Sequence, residues 1–458
     1  MKQLPEAYLK RMHRLLGDEM TSFLDAMERP ARHGIRHNPL KCSMEALRRA
    51  LPFALPPEPT LFSPLNYEAP DAHVGLLAAH HSGMFYSQEP SASCAVTVLD
   101  PQPGERILDL CAAPGGKSSQ IAALTGDDGL LWANEIIRSR AQILSFNLER
   151  MGISNTVISS CHPDILCKGL AGYFDRVLVD APCSGEGMFR RDAQSIAQWT
   201  PDLPRACAQR QAQILDSAAQ ALRPGGGLVY STCTFSREEN EETVEAFLLR
   251  HPEFSPDLPA SITFGRPAEN GMPGRRIYPM DGGEGHFVAR LRKRDDAPAS
   301  SEKTQSRRKK ASPAAPPRSP SLVRQAQALY EACFSDAPRG VFVPRGEYIF
   351  LSPEALPLRE EFGILRAGCT FAQIVGQSLQ PCHGAFMCRR AKDCLQSMDF
   401  APEDPTLSAF LRGEEIFCPP ALNGYTAVTV SGTVTGFGKA VQGKLKNKYP
   451  KGLRNPKQ

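Results

Sequence analysis

Two cysteines in this sequence stand where a covalent reaction could take place, close after short apolar runs. Cys183 lies in the segment LVDAPCSGEG, three residues after Asp180, and Cys233 lies in LVYSTCTFSREENE. A thiolate is a nucleophile that can bond to an electron-poor carbon, and a nearby carboxyl group can handle the proton that such a reaction moves. A single cysteine at the end of a strand is more often a small buried residue. Two of them, accompanied by a carboxyl group, indicate a thiol-dependent reaction.

A loop of small residues in RILDLCAAPGGKSSQIAAL, residues 106–124, provides a candidate cofactor site. Ligands of doubly wound sheets bind at the carboxyl ends of strands, and small residues let the backbone approach a ligand closely. The loop lacks the GxGxxG pattern of dinucleotide-binding dehydrogenases. Glu135 follows the next apolar run, LLWAN, and a carboxylate in that place can accept hydrogen bonds from ribose hydroxyls. We therefore predict a ligand that contains a nucleoside.

The elements that position these residues alternate between short strands and helices from about Ala79 to Arg294. The predicted strands end near Leu110, Glu135, Asp180 and Cys233, and helical segments follow them. This alternation predicts an α/β fold with a doubly wound, mainly parallel sheet and helices on both faces. The carboxyl ends of its strands would bring the loop, the carboxylates and the thiols to one edge.

The composition of the 458-residue chain is that of a globular protein, with 41% hydrophobic residues and a net charge of +4. No apolar stretch reaches the roughly 18 residues that span a bilayer, and the N-terminus has no secretory signal, so we expect a cytoplasmic protein without membrane contact. The 14 cysteines form no CxxC pair. The spacing of Cys382, His383, Cys388 and Cys394 fits no standard zinc site, so we expect no metal.

Four segments, in order DLCAAPGGK, ANE, DAPCSGEG and STCTFSREENE, resemble the successive motifs of the Sun/RsmF family of RNA cytosine-5 methyltransferases. The C-terminal stretch GKAVQGKLKNKYPKGLR resembles the end of the RsmF branch, where a PUA-like domain binds ribosomal RNA. The resemblance implies a Rossmann-like fold, S-adenosylmethionine as methyl donor, and carbon 5 of a cytosine as acceptor. That carbon becomes nucleophilic only after a thiolate has added to carbon 6, which requires a cysteine.

The family motifs also imply roles for individual residues. Cys233 maps to the nucleophile, Cys183 to the cysteine that assists product release, and Asp180 to an acid near both cofactor and base, which Lys117 would orient by its charge. The implied cofactor-binding residues are Cys111, Ala112, Ala113, Pro114, Gly115, Gly116, Lys117, Glu135 and Asp180. Many family members place an aspartate after the third strand to contact adenine. Here the segment is SSCHPDIL, and the contact could come from His162 or Asp164.

We divide the chain into five parts. They are a helical, basic RNA-binding region at 1–75 with a helix predicted over 6–27, a catalytic domain at 76–294, a linker rich in Ser, Pro, Ala, Lys and Arg at 295–321, an intermediate domain at 322–390, and a β-rich, basic α+β PUA-like domain at 391–458. The basic N-terminal segment RPARHGIRHNPLK resembles the one that family members use against RNA. Basic residues neutralise phosphate without reading sequence.

The expected substrate is RNA, preferably 16S RNA of the small ribosomal subunit, with transfer RNA as the second choice. A catalytically silent RNA-binding assembly factor is an alternative of another class, but it would not need both Cys183 and Cys233. Small-molecule methylation is disfavoured by the basic flanking regions. DNA is disfavoured because the chain lacks the downstream Glu-containing ENV-type motif of DNA cytosine-5 methyltransferases. The sequence gives no indication of the oligomeric state.

Overall fold

The computed structural model describes residues 4–70, 73–297, 320–353 and 356–456. Most of the predicted linker, 295–321, lies outside these residues. Within the described ranges, no helix is both long and apolar enough to cross a membrane. Short 3-10 helices lie at Gly17–Glu19, Val74–Leu76, Pro90–Ser93, Gly126–Asp128, Glu186–Met188, Glu269–Gly271, Pro279–Asp281, Glu360–Phe362, Ala391–Asp393 and Lys451–Leu453.

The N-terminal part combines short helices with a three-stranded antiparallel sheet in the order β2-β1-β3. Its elements are α1 (Glu6–Leu16), α2 (Met20–Glu28), β1 (Gly34–His37), α3 (Met44–Ala50), β2 (Asn66–Glu68), α4 (Ala78–His81) and β3 (Phe85–Ser87). The helix predicted over 6–27 is interrupted at Gly17, whose φ of 53° is accessible to glycine at little cost. The sequence pattern does not predict the sheet, and its third strand lies beyond residue 75.

The central part is built on a large twisted sheet in the order β10-β11-β12-β8-β7-β4-β5-β6, with β9 paired to β12. Its elements are α5 (Cys94–Leu99), β4 (Arg106–Asp109), α6 (Gly116–Thr125), β5 (Leu130–Asn134), α7 (Arg138–Arg150), β6 (Thr156–Ser159), α8 (Pro163–Gly169), β7 (Phe174–Asp180), α9 (Ala193–Gln198), α10 (Leu203–Ala221), β8 (Leu222–Thr232), α11 (Glu241–Arg250), β9 (Phe254–Pro256), β10 (Arg266–Pro267), β11 (Gly274–Ile277) and β12 (His286–Lys293). The five strands β4 to β8 are parallel, and β12 runs antiparallel to β8.

Successive side chains of the central strands point to opposite faces of this sheet. Leu108 and Trp132 belong to a buried cluster on one face, and Ile107 and Leu131 belong to a second cluster on the other. Strands buried on both faces explain the nearly continuous apolar runs in the sequence. The predicted α/β fold, a mainly parallel doubly wound sheet with helices on both faces, is confirmed.

The C-terminal part contains two further sheets, in the orders β13-β14-β16-β17 and β18-β20-β21-β22-β19. Its elements are α12 (Pro320–Glu331), β13 (Val341–Arg345), β14 (Tyr348–Ser352), β15 (Ile364–Ala367), β16 (Cys369–Val375), β17 (Ser378–Pro381), α13 (His383–Met387), β18 (Ser397–Phe400), α14 (Pro405–Leu411), β19 (Ile416–Phe417), β20 (Gly424–Val430), β21 (Thr433–Val441) and β22 (Lys444–Asn447). Strand β15 pairs with β6, so the predicted intermediate domain covers an edge of the catalytic sheet. The predicted domain boundaries stay predictions.

Candidate active site

The two cysteines meet at the carboxyl edge of the central sheet. Strands β7 and β8 are parallel neighbours with Asp180 opposite Ser231, so the segments that follow them leave the sheet side by side. The Sγ atoms of Cys183 and Cys233 are 3.2 Å apart. The hydrogen bond to Cys233, followed by burial, raises the pKa of Cys183 well above its usual value. The Cys183 thiol therefore holds its proton more tightly than a free thiol does.

Asp180 is the last residue of β7 and is held from two sides. Its Oδ2 accepts a hydrogen bond from Lys117 Nζ at 2.7 Å, and its Oδ1 accepts one from Ser231 Oγ at 2.8 Å. Burial acts to lower the pKa of Lys117, but the charge of Asp180 and the hydrogen bond to it raise that pKa overall. The side chain of Asp180 stays 31% exposed while that of Lys117 is 13% exposed. The ammonium group thus supports a carboxylate that still faces the site.

A cavity of about 890 Å³ adjoins both thiols, a volume in the range of small-molecule sites. The predicted residues that line it are Cys111, Ala113, Glu135, Asp180, Cys183 and Cys233, together with both candidates for the adenine contact, His162 and Asp164. Lining residues that the sequence did not single out are Leu110, Ile136, Ile137, Arg140, Pro163, Ala181, Pro182, Arg210, Gln213, Ile214, Asp216, Ser217 and Gln220. The cavity therefore combines carboxylates with an apolar wall.

Five predicted cofactor residues do not line this cavity: the loop residues Ala112, Pro114, Gly115 and Gly116 and, in addition, Lys117. Ala112 is buried in the hydrophobic core, and Gly115, with a φ of 111°, makes the turn into α6. Gly116 is packed so closely on the N-terminal part that an added Cβ would lie 3.3 Å from the ring of Tyr86. These residues shape the loop rather than face the cavity. Lys117 reaches the site through Asp180.

Of two carboxylates at neighbouring strand ends, Glu135 lines the cavity and fits a nucleoside-containing ligand, whereas Asp109 is fully buried and does not line the cavity. Glu135 is 3% exposed, accepts a hydrogen bond from the Ile137 amide at 3.0 Å, and lies 3.4 Å from an Arg140 nitrogen. Asp109, which the sequence did not single out, accepts a 2.6 Å hydrogen bond from Ser118 at Oδ2, whereas its buried Oδ1 has no partner. Burial raises the pKa of Asp109 to about 7. The place of Asp109 at the end of β4 was the signal that could have found it.

The basic segment at 29–41 differs from the expected RNA-facing surface. Arg36 is fully buried and donates to the Gly116 carbonyl at 2.5 Å, to Ser119 Oγ at 2.6 Å and to Gln88 Oε1. Lys41 Nζ donates to the Met387 carbonyl at 2.7 Å. These two cations stabilise contacts inside the protein, so the expectation that they face RNA is wrong. Arg29 is exposed.

Three stretches of the chain match known protein families. Residues 96–292 match the family described as 16S rRNA methyltransferase RsmB/F, residues 4–90 match the N-terminal domain of 16S rRNA methyltransferase RsmF, and residues 397–455 match the methyltransferase RsmF PUA domain. Over 98% of its length the chain is 34% identical to ribosomal RNA small subunit methyltransferase F of Klebsiella pneumoniae (strain 342) and to that of Cronobacter sakazakii (strain ATCC BAA-894), covering 96% of each.

Solved structures support the same fold. A methyltransferase homolog protein from Pyrococcus horikoshii is 30% identical with a TM-score of 0.54, over 62% of this chain and 93% of that one. NSun6 from Pyrococcus horikoshii with SFG has a TM-score of 0.56 over 64% of this chain and 99% of that one, and its 23% identity shows the fold alone. Together with the matched domains, these likenesses show that the chain belongs to the RsmF family of S-adenosylmethionine-dependent 16S ribosomal RNA methyltransferases.

Proposed function

We propose that this protein methylates carbon 5 of a cytosine in 16S ribosomal RNA through a covalent bond between Cys233 and the base. The observation that carries the proposal is the 3.2 Å contact between the thiols of Cys183 and Cys233 on the wall of the cavity that Glu135 and Asp180 also line. The cytosine must leave its stack to reach this site. Because the substrate is ribosomal RNA, we place the protein in the cytoplasm.

In the proposed reaction the Cys233 thiolate bonds to carbon 6, and the electron pair of the ring double bond moves toward carbon 5. S-adenosylmethionine, when bound, would supply an electrophilic methyl group to carbon 5, and its sulfonium would leave as a neutral thioether. Asp180, held by Lys117 and Ser231, would lie at the N3 edge of the ring, where a proton shared between its carboxyl group and N3 offsets the negative charge that the thiolate brings into the ring. A base then removes the proton of carbon 5, the ring double bond re-forms, and Cys233 leaves with Cys183 assisting.

We assign binding of S-adenosylmethionine to the loop Cys111–Lys117, Glu135 and Asp180. Glu135 would accept from the ribose hydroxyls, and the neighbouring Ile136 and Ile137 provide apolar surface for the adenine. His162 and Asp164 line the same cavity as Ile136 and Ile137, and either side chain can supply the polar adenine contact.

The C-terminal five-stranded sheet provides a surface that fits RNA. Phe417 pairs with Lys444, and Lys446 pairs with Lys439, so these four side chains share one face while Leu445 points to the core. Phe417 is 80% exposed. Lysines neutralise phosphates and an exposed aromatic ring stacks on unpaired bases, which is the combination that single-stranded RNA requires.

The test is bisulfite sequencing of 16S RNA from a strain that lacks the gene, complemented with wild type or with Cys233→Ala. We expect one or a few methylated cytosines to be lost on deletion and restored only by wild type. If every methylated cytosine persists without the gene, the proposed function is wrong. Restoration by Cys233→Ala would instead reject Cys233 as the nucleophile.

A further inference from the structure

His286 is the first residue of β12, the strand that neighbours β8, and Cys233 directly follows the last residue of β8. Phe287 pairs with Thr232 across the antiparallel β12 and β8, so continuation of this register places His286 opposite Cys233. Side chains alternate along a strand, and His286 therefore shares a face with Val288 and with Ser231, the residue that donates to Asp180. Nothing in the proposed chemistry uses this imidazole.

The hydrogen bonds around His286 determine its tautomer. Its Nδ1 is 2.9 Å from Ser91 Oγ, and Ser91 Oγ is 2.6 Å from Oε1 of Glu89. Glu89 accepts backbone hydrogen bonds at both carboxylate oxygens, so Ser91 donates its one hydroxyl proton to this carboxylate. Ser91 must then accept from His286, which carries its proton on Nδ1. The Nε2 atom is left with its lone pair.

The imidazole is also neutral. Burial, followed by the positive charge of Lys117, lowers the pKa of His286 to about 3. His286 is 7% exposed, and no hydrogen bond to its Nε2 is present among the described residues. The Nε2 atom is also not completely enclosed by the surrounding protein. A nearly buried acceptor with no partner in the described part of the chain, on the strand next to the one that leads to Cys233, is available to a ligand.

We propose that His286 binds the target nucleotide, with Nε2 accepting a hydrogen bond from a donor on the nucleotide whose base reacts with Cys233. The inference rests on the proposed function of Cys233. A cytidine in RNA offers two donors of this kind, the exocyclic amine of the base and the ribose 2′-hydroxyl. The Ser91–Glu89 pair would act by fixing the tautomer and the direction of the ring.

Two substitutions separate this role from a structural one. The side-chain amide of His286→Asn can replace Nδ1 toward Ser91 but does not reach the position of Nε2, whereas His286→Gln can place an acceptor near Nε2 but loses the bond to Ser91. The substrate is the small subunit from a strain lacking the gene. We expect kcat/KM to be about tenfold lower in His286→Asn than in wild type, because the loss of one hydrogen bond has an effect of this size. In His286→Gln we expect kcat/KM to be close to that of wild type. The Kd for S-adenosylmethionine should not change in either variant.

The reverse pattern, with an active Asn variant and an impaired Gln variant, would overturn the inference, as would equal losses in both. An inactive wild-type protein would reject the proposed function instead. To identify the donor, RNA fragments carrying 2′-deoxycytidine or 2-pyrimidinone riboside at the target position are compared in wild type and His286→Asn. If a modification lowers kcat/KM more in wild type than in His286→Asn, the group that it removes is the one that Nε2 contacts. If both modifications lower kcat/KM equally in the two proteins, the proposed contact is refuted.

Discussion

Replacing Arg36 with methionine should destabilise the fold and the cofactor loop. It should not change the part of the RNA affinity that comes from contacts with phosphate. Arg36 donates to Gly116 and Ser119 in the first turn of α6, the helix that begins at Gly116 within the segment Cys111–Lys117. Hydrogen bonds made by a charged group contribute about 1.5–3 kcal/mol each, and methionine fills only part of the vacated space. We expect the free energy of unfolding to fall by about 3 kcal/mol and the Kd for S-adenosylmethionine to rise several-fold.

The assay measures denaturant unfolding, cofactor affinity by calorimetry, and RNA affinity at several salt concentrations for Arg36→Met. Arg29→Met is the matched control, because Arg29 lies in the same basic segment but is exposed. The control should leave stability and cofactor affinity unchanged. The contrary result is a stable Arg36→Met variant that binds cofactor normally and whose RNA affinity depends less steeply on salt. Arg36 would then contact phosphate, and the conclusion that it is buried would be wrong.

Three further outcomes are expected. Cys183→Ala should accumulate a gel-stable covalent RNA adduct, seen as a shifted protein band, and the double variant with Cys233→Ala should not; an adduct in Cys233→Ala alone would exchange the two roles. Glu135→Ala should raise the Kd for S-adenosylmethionine about tenfold with RNA affinity unchanged, because a charged acceptor is lost, and an unaltered Kd would remove Glu135 from the ribose site. Phe417→Ala and Lys446→Ala should both weaken RNA binding, but only Lys446→Ala should reduce the slope of log affinity against log salt by about one; equal slopes would argue against a phosphate contact by Lys446.

The central sheet and its catalytic edge were predictable because local sequence determines them. Buried parallel strands require continuous apolar runs, and the helices between them carry their own periodicity. Parallel neighbours then bring their carboxyl ends together, so two sequence positions as distant as Cys183 and Cys233 could be expected at one edge. To predict the 3.2 Å contact between their Sγ atoms, it is also necessary to know that β7 and β8 are neighbours in the sheet.

Pairings between distant segments were not predictable in the same way. Strands β1, β2 and β3 are only three or four residues long and come together from well-separated parts of the chain. Strand β15 joins the catalytic sheet from a segment about 200 residues after its partner β6. Charge alone likewise suggested a solvent-facing Arg36, and only the packing of β1 against α6 shows that this side chain is buried.

Side-chain packing also joins the motif-bearing segment to the N-terminal helices. Tyr8 and Phe23 of the N-terminal helices pack on Phe189 and Phe235, which follow Cys183 and Cys233 by six and two residues, respectively. Arg11 of α1 pairs with Glu238 at 2.6 Å, on the loop that leaves Cys233. Catalysis requires side chains that are held by a surrounding shell of packed residues. Because the N-terminal part supplies much of that shell, its first role is to fix the geometry of the thiols, and any contact with RNA adds to that role.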